Sequence, residues 1–200
     1  MSTATPACAA LAPLGPADDG HLFTKILGGT GGQSATGPYG PAMRLIIPAP
    51  LTAASFAPFG DILDATGPYR LINAGLCQRH HDRARLDFGP EGRAGISIFN
   101  AVPRSLPYSF DLIERHPEGS QAFIPMTSAP FLIIVAASPE AAPLAFLSSP
   151  GQGINLHRGT WHGVLTPLSA PGLFTVIDRI GETPNLEEFR YPTPWTVIAA

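Results

Sequence analysis

Residues that interrupt helices recur along the whole of this chain. Twenty-one glycines and 23 prolines stand among its 200 residues, more than one position in five. Proline has no amide hydrogen to give to a helix and glycine loses the most backbone freedom on ordering, so long helices are excluded and the chain must turn often. From Met43 onward the apolar segments between these breaks are short. Residues 44–47, 95–102, 110–116, 121–126, 131–137, 144–147, 161–165 and 173–180 each read as a strand, and 52–59 as a helical turn stopped by Gly60. Residues 110–116 also suit a short Leu-containing helix, and the prolines on either side favour the strand. Phe131-Leu132-Ile133-Ile134-Val135 is apolar on both faces, as a covered central strand would be. Short strands with turn residues between them predict an all-β sandwich or barrel and not alternating βαβ units.

Residues 1–42 differ. They are rich in Ala, Gly, Pro, Ser and Thr, which offer little apolar area to offset the entropy of ordering, and they predict a disordered or weakly ordered extension ahead of one domain at 43–200. Gly29-x-Gly31 is followed by Ser34 where a dinucleotide fingerprint needs its third glycine.

Several chemistries are excluded early. Cys8 and Cys77 cannot build a disulfide framework or a thiolate metal cage. The only lysine, Lys25, lies in the extension, so Schiff-base catalysis has no credible nucleophile. A net charge of −3 gives no field to gather nucleic acid or an anionic membrane, and no apolar run reaches the roughly 20 residues of a membrane helix. With no basic-then-apolar leader, a cytoplasmic protein is expected.

Four segments can carry chemistry. In Leu112-Ile113-Glu114-Arg115-His116, a strand's period of two puts Phe110, Leu112, Glu114 and His116 on one face, so an ionisable pair continues a core-facing row. Such a pair is either a satisfied internal ion pair, the wet face of a helix, or a site that needs a ligand. Gly159-x-x-His162 turns tightly and delivers a second imidazole to a strand end. Together Glu114, His116, Gln121 and His162 can surround a divalent metal or a small polar substrate. Asp178 shares a face with Phe174, Val176 and Ile180, whereas Arg179 points the other way, towards solvent or an interface. The basic run from Arg79 to Arg85 reads either as a solvated loop or as one that faces substrate, and it lacks the interleaved aromatics of a nucleic-acid site.

These residues also form a pattern. Ile72-Asn73-x-Gly75 with Arg79-x-His81-Asp82, Glu114-Arg115-His116-Pro117 through Ser120-Gln121 to Pro125-Met126, Gly153-Ile154-Asn155-x-His157 with Trp161-His162, and Asp178-Arg179 resemble the ureidoglycolate lyase family across residues 43–191. The resemblance implies a cupin-type double-stranded β-helix barrel with a few short helices. It also implies a homodimer that splits ureidoglycolate into glyoxylate and urea in allantoin and purine catabolism. Glu114, His116, Gln121 and His162 resemble the positions that hold a divalent metal in metal-binding cupins. Chemistry suggests roles for the matched positions: His116 or His162 as base with Glu114 and Asp178 beside it, and Arg79 or Arg179 for the substrate carboxylate. Asn73, Ser120 and Gln121 would meet the ureido group, with Asn155 and His157 on the substrate side. Asn100, Leu156 and Gly163 stand where the family often carries Arg, Tyr and His. The competing readings are another cupin enzyme, such as a metal-dependent isomerase or oxygenase, and a non-catalytic protein that binds small acids.

Overall fold

The computed structural model describes residues 43–199, and within them the chain turns as often as its glycines and prolines require. The expected extension at 1–42 lies outside the described residues. The strands are, in order, β1 (Arg44–Ile46), β2 (Ala49–Pro50), β3 (Gly60–Leu63), β4 (Arg70–Ile72), β5 (Cys77–Arg79), β6 (Arg93–Asn100), β7 (Tyr108–Arg115) and β8 (Gln121–Pro125). They continue as β9 (Phe131–Ala136), β10 (Leu144–Leu147), β11 (Gly153–Leu156), β12 (Trp161–His162), β13 (Thr166–Pro167), β14 (Leu173–Ile180) and β15 (Glu187–Val197). The one α-helix among the described residues, α1 (Ala53–Phe56), starts where the Thr52 hydroxyl accepts the Ser55 amide.

Two sheets face one another. The larger runs β1-β15-β7-β12-β9-β10-β2, with β13 beside β9, and the smaller runs β3-β11-β8-β14-β6. Between them lies a core of Phe131, Ile133 and Val135 from β9, Phe123 from β8, Ile154 and Leu156 from β11, and Phe174 and Val176 from β14. The alternate residues of β9, Leu132, Ile134 and Ala136, are buried on the far side with Ile113 and Trp161, so β9 is covered on both faces as its sequence predicted. This is the all-β, cupin-type barrel.

Three elements differ from the sequence expectation. The segment read as a loop folds as a hairpin, with β4 and β5 forming their own two-stranded sheet around a 3-10 turn at Asn73–Gly75. β15 contains Pro192 and Pro194, yet it is the longest strand. Its register against β7 jumps between Arg190 and Trp195, where the prolines sit without breaking a ladder. The same jump breaks the alternation of β7: Phe110 packs in the cluster that holds Ile113, three residues on, so Phe110 does not share a row with Glu114.

Candidate acid-base site

β12 pairs with β7 so that His162 lies directly opposite Glu114, and His162 is also opposite Val135, a residue of the inner core. Both therefore point between the sheets. His116 follows two residues after Glu114, just beyond the strand, and its backbone carbonyl accepts the Gly159 amide at 2.9 Å. That bond draws the β11–β12 turn against the end of β7. The imidazoles of His116 and His162 stand 5.3 Å apart between ring centres, and one ligand atom from each of Glu114, His116 and His162 lies within 4.8 Å of the others.

Hydrogen bonds fix the tautomer of each ring. His116 Nδ1 lies 2.7 Å from the carbonyl of Asn185, and His162 Nδ1 lies 3.0 Å from that of Gly163. A carbonyl only accepts, so both Nδ1 atoms carry hydrogen, and it is Nε2 that presents the lone pair whenever a ring is neutral. Each Nε2 is buried without a partner. Burial pushes the His162 ring down to about 4; the Gly163 carbonyl opposes this and the neighbouring His116 adds to it. At neutral pH it is uncharged. Burial raises the Glu114 carboxyl, the cation of His116 would lower it, and Glu188, paired opposite it on β15, raises it further.

The facing sheet supplies two more unpartnered buried oxygens, Gln121 Oε1 and Asp178 Oδ1. Gln121 alternates with Phe123 and Asp178 with Val176, so both face inward. Ile177 pairs with Ala122, which sets Asp178 beside Gln121. Gln121 is opposite Leu156, the last residue before the turn that leads to His162. Both sheets thus deliver uncompensated polar atoms to one end of the barrel. Behind His162 the core leaves a space of only about 20 Å³, room for roughly one water, so a substrate cannot enter through the core.

The remaining predicted residues do other things. Asn155 alternates with core residues and points outward, where its amide donates to Asp61 and to the Arg85 carbonyl. Ser120 Oγ accepts the Asp87 amide while its own amide donates to the Asp87 carbonyl. Arg179 is buried and not solvent-facing: it donates to the Phe88 carbonyl and to Thr183, in a cradle where a side chain on Gly92, Gly119 or Gly181 would collide with it. These three side chains share one task, holding the segment 85–88 against the outer face of the smaller sheet. His157 pairs with Asp61 at 3.3 Å, outside the barrel. Asn73 and Arg79 lie on the exposed hairpin. Gly163 packs on Ile134, Leu156 fills the inner core, and Asn100 is exposed at the end of β6 away from Asp178.

Asn185 was missed by sequence reasoning. Its carbonyl orients His116 and its side-chain oxygen accepts the Glu118 amide at 2.7 Å, yet Pro184-Asn185 reads only as a turn. Glu188 was missed too, because its influence comes from a strand pairing that only the fold creates.

A family model described as ureidoglycolate lyase matches residues 43–198. A ureidoglycolate lyase of Rhodobacter capsulatus is 58% identical over 158 residues, covering 77% of this chain and 98% of the relative. One from Chelativorans is 48% identical over 160 residues, covering 78% and 97%. A protein called ureidoglycolate lyase 2, from Rhizobium meliloti, is 45% identical over 153 residues, covering 74% and 94%.

Proposed function

The chain belongs to the ureidoglycolate lyase family, and from that premise we propose that Glu114, His116 and His162 carry the acid-base chemistry that splits ureidoglycolate into glyoxylate and urea. The observation that supports these residues is a pair of imidazoles, His162 buried and His116 half-buried, each fixed through Nδ1 by a carbonyl and each with Nε2 unpartnered, beside a carboxyl of raised pKa.

The substrate carries a hydroxyl and a ureido nitrogen on one carbon. A base takes the hydroxyl proton, the oxygen's electrons form the aldehyde C=O, the C–N bond breaks with its electron pair on nitrogen, and an acid protonates that nitrogen. The proton lost from oxygen is replaced on nitrogen, so one group can serve in both steps. His116 Nε2, on the less buried ring, takes the proton. Glu114, held towards its protonated form, shares or returns it. Neutral His162 and Gln121 Oε1 orient the hydroxyl and the ureido N–H groups.

The donor set also suits a divalent cation. Two imidazoles whose Nδ1–H groups are fixed by carbonyls, beside a carboxyl, match how metal-bound histidines are oriented, and Glu114, His116 and His162 would hold the ion, with Gln121 in reach. Bound there, it would supply Lewis acidity towards the substrate's oxygens.

We further read the protein as a cytoplasmic homodimer in purine catabolism that binds neither membrane nor nucleic acid. Cys77, a free and exposed thiol, suits a reducing compartment. No described helix is long and apolar enough to cross a membrane.

The test is release of urea and glyoxylate from racemic ureidoglycolate by purified protein. Equal amounts of both products without ammonia are expected, and H116A should fold normally while losing about 100-fold in kcat. A folded wild-type protein without turnover would sink the reading.

A further inference from the structure

The substrate is a carboxylate, and a positive group must meet it. Among the described residues, no arginine or lysine is bonded to Glu114, His116 or His162. The arginines next to them in sequence or fold are occupied. Arg115 points to the other face of its sheet, lies over the Trp161 ring at 4.9 Å and pairs with Glu187. Arg158 is bonded to the Pro117 carbonyl and lies near Glu118, and Arg179 holds the Phe88 carbonyl. Arg93 bonds the Ala94 carbonyl beside a cavity that Glu91 and Glu182 also line.

Among the described residues, three arginines have no partner for their side chains, Arg70, Arg79 and the exposed Arg85, and two of them are paired with each other. Arg70 and Arg79 stand directly opposite one another on the β4–β5 hairpin, both exposed and neither with an acidic partner. Like charges facing across an antiparallel pair repel, so this arrangement calls for an anion between them. With Tyr69, Pro68 and His81 they line a concavity of about 380 Å³. The planar forks of two arginines suit a carboxylate.

The hairpin cannot serve its own chain's site easily. β3 starts at Gly60, opposite Leu156 at the site end, and finishes at Leu63, opposite Gly153 at the far end. There the chain leaves the sheet: Asp64 accepts from Gln152 and Arg83, and the hairpin projects beyond. It pairs with no other strand and leaves Leu76 90%, Leu71 56% and Tyr69 51% exposed. A two-stranded hairpin is marginal alone and needs a surface to pack on. The surface of complementary charge is the site end of the barrel, where the exposed Glu188 stands directly opposite Glu114.

We propose that the β4–β5 hairpin reaches into the acid-base site of a second copy of this chain, where Arg79, with Arg70, binds the substrate carboxylate. The proposal rests on the lyase reading above. Under two-fold symmetry each hairpin completes the other copy's site, so the interface is self-complementary and closes as a dimer.

The experiment is complementation between two defective chains. R79A and H116A homodimers should each lose about 100-fold in kcat/KM. A heterodimer of the two, isolated with two different tags, should recover about half the wild-type specific activity, because one of its two sites then has both residues intact. If either variant fails to fold, R79Q or H116Q replaces it. A folded heterodimer as inactive as its parents would overturn the proposal and place Arg79 in the service of its own chain's site, and an R79A homodimer with wild-type kcat/KM would overturn it as well. A second measurement needs no turnover, so it still decides if the lyase reading fails. A photo-crosslinker attached to Cys77, on the hairpin, of chains carrying C8S, in dimers of isotopically light and heavy chains, should yield mixed peptides that contain residues 114–118 or 185–188. Crosslinks to other surfaces or only within one chain would overturn the proposal on structural grounds alone.

Discussion

At the scale of single residues, His162 stores a pH dependence. Its unfolded ring would gain a proton as pH falls below 6.5, whereas the buried ring resists until about 4. The stability this group contributes is therefore complete above pH 6.5 and lost as pH falls towards 4, an effect of about 3 kcal/mol. Unfolding midpoints in denaturant, measured between pH 7 and 4, should fall accordingly, and H162Q should remove most of that slope. The paired imidazoles also predict metal affinity. Protein stripped with a chelator should bind close to one divalent ion per chain by calorimetric titration, and H162A should weaken binding at least tenfold. Unchanged titrations in H162A would remove these residues as ligands.

At the scale of elements, residues 80–89 form neither helix nor strand, yet they are held in place. Arg83 pairs with Asp64 at the far end, Asn155 holds the Arg85 carbonyl midway, Ser120 makes two bonds to Asp87, and Arg179 grips the Phe88 carbonyl. Asn155 is fully buried, so N155A leaves Asp61 and Arg85 acceptors without their donor and should cost about 2–3 kcal/mol. Hydrogen exchange should show the Asp87 amide losing protection before the amides of β9 and β14. Uniform loss across the barrel would mean that the segment is not an independent unit.

At the scale of the whole molecule, the sequence predicted most of the strands because Gly and Pro mark their ends, and β9 because its alternation is absent. It did not predict β15, where two prolines sit inside a strand and are tolerated only at a register jump against β7. The site was legible in part. Glu114, His116 and Asp178 stood out because a polar residue in an apolar row is costly, and His162 because Gly159 turns tightly ahead of a strand; the fold brings these residues to one end of the barrel with Gln121. What Asn155, Ser120 and Arg179 do was not visible, since an unusual polar residue reads the same whether it faces a substrate or a neighbouring backbone. The hairpin's place was hidden for a similar reason: spacing gives its residues but not the end of the barrel at which β3 leaves the sheet.

Asn155, Ser120 and Arg179 all grip residues 85–88 by main-chain atoms alone. What fixes this segment's course is therefore written in the sheet and not in the segment. Under mutation the side chains of Arg85 and Leu86 are free to drift, whereas Asp87 also accepts the Gly89 amide, and descendants of this chain should differ at 85 and 86 while keeping the same path. The three gripping residues have no such freedom, and a lineage that lost one would lose the path with it.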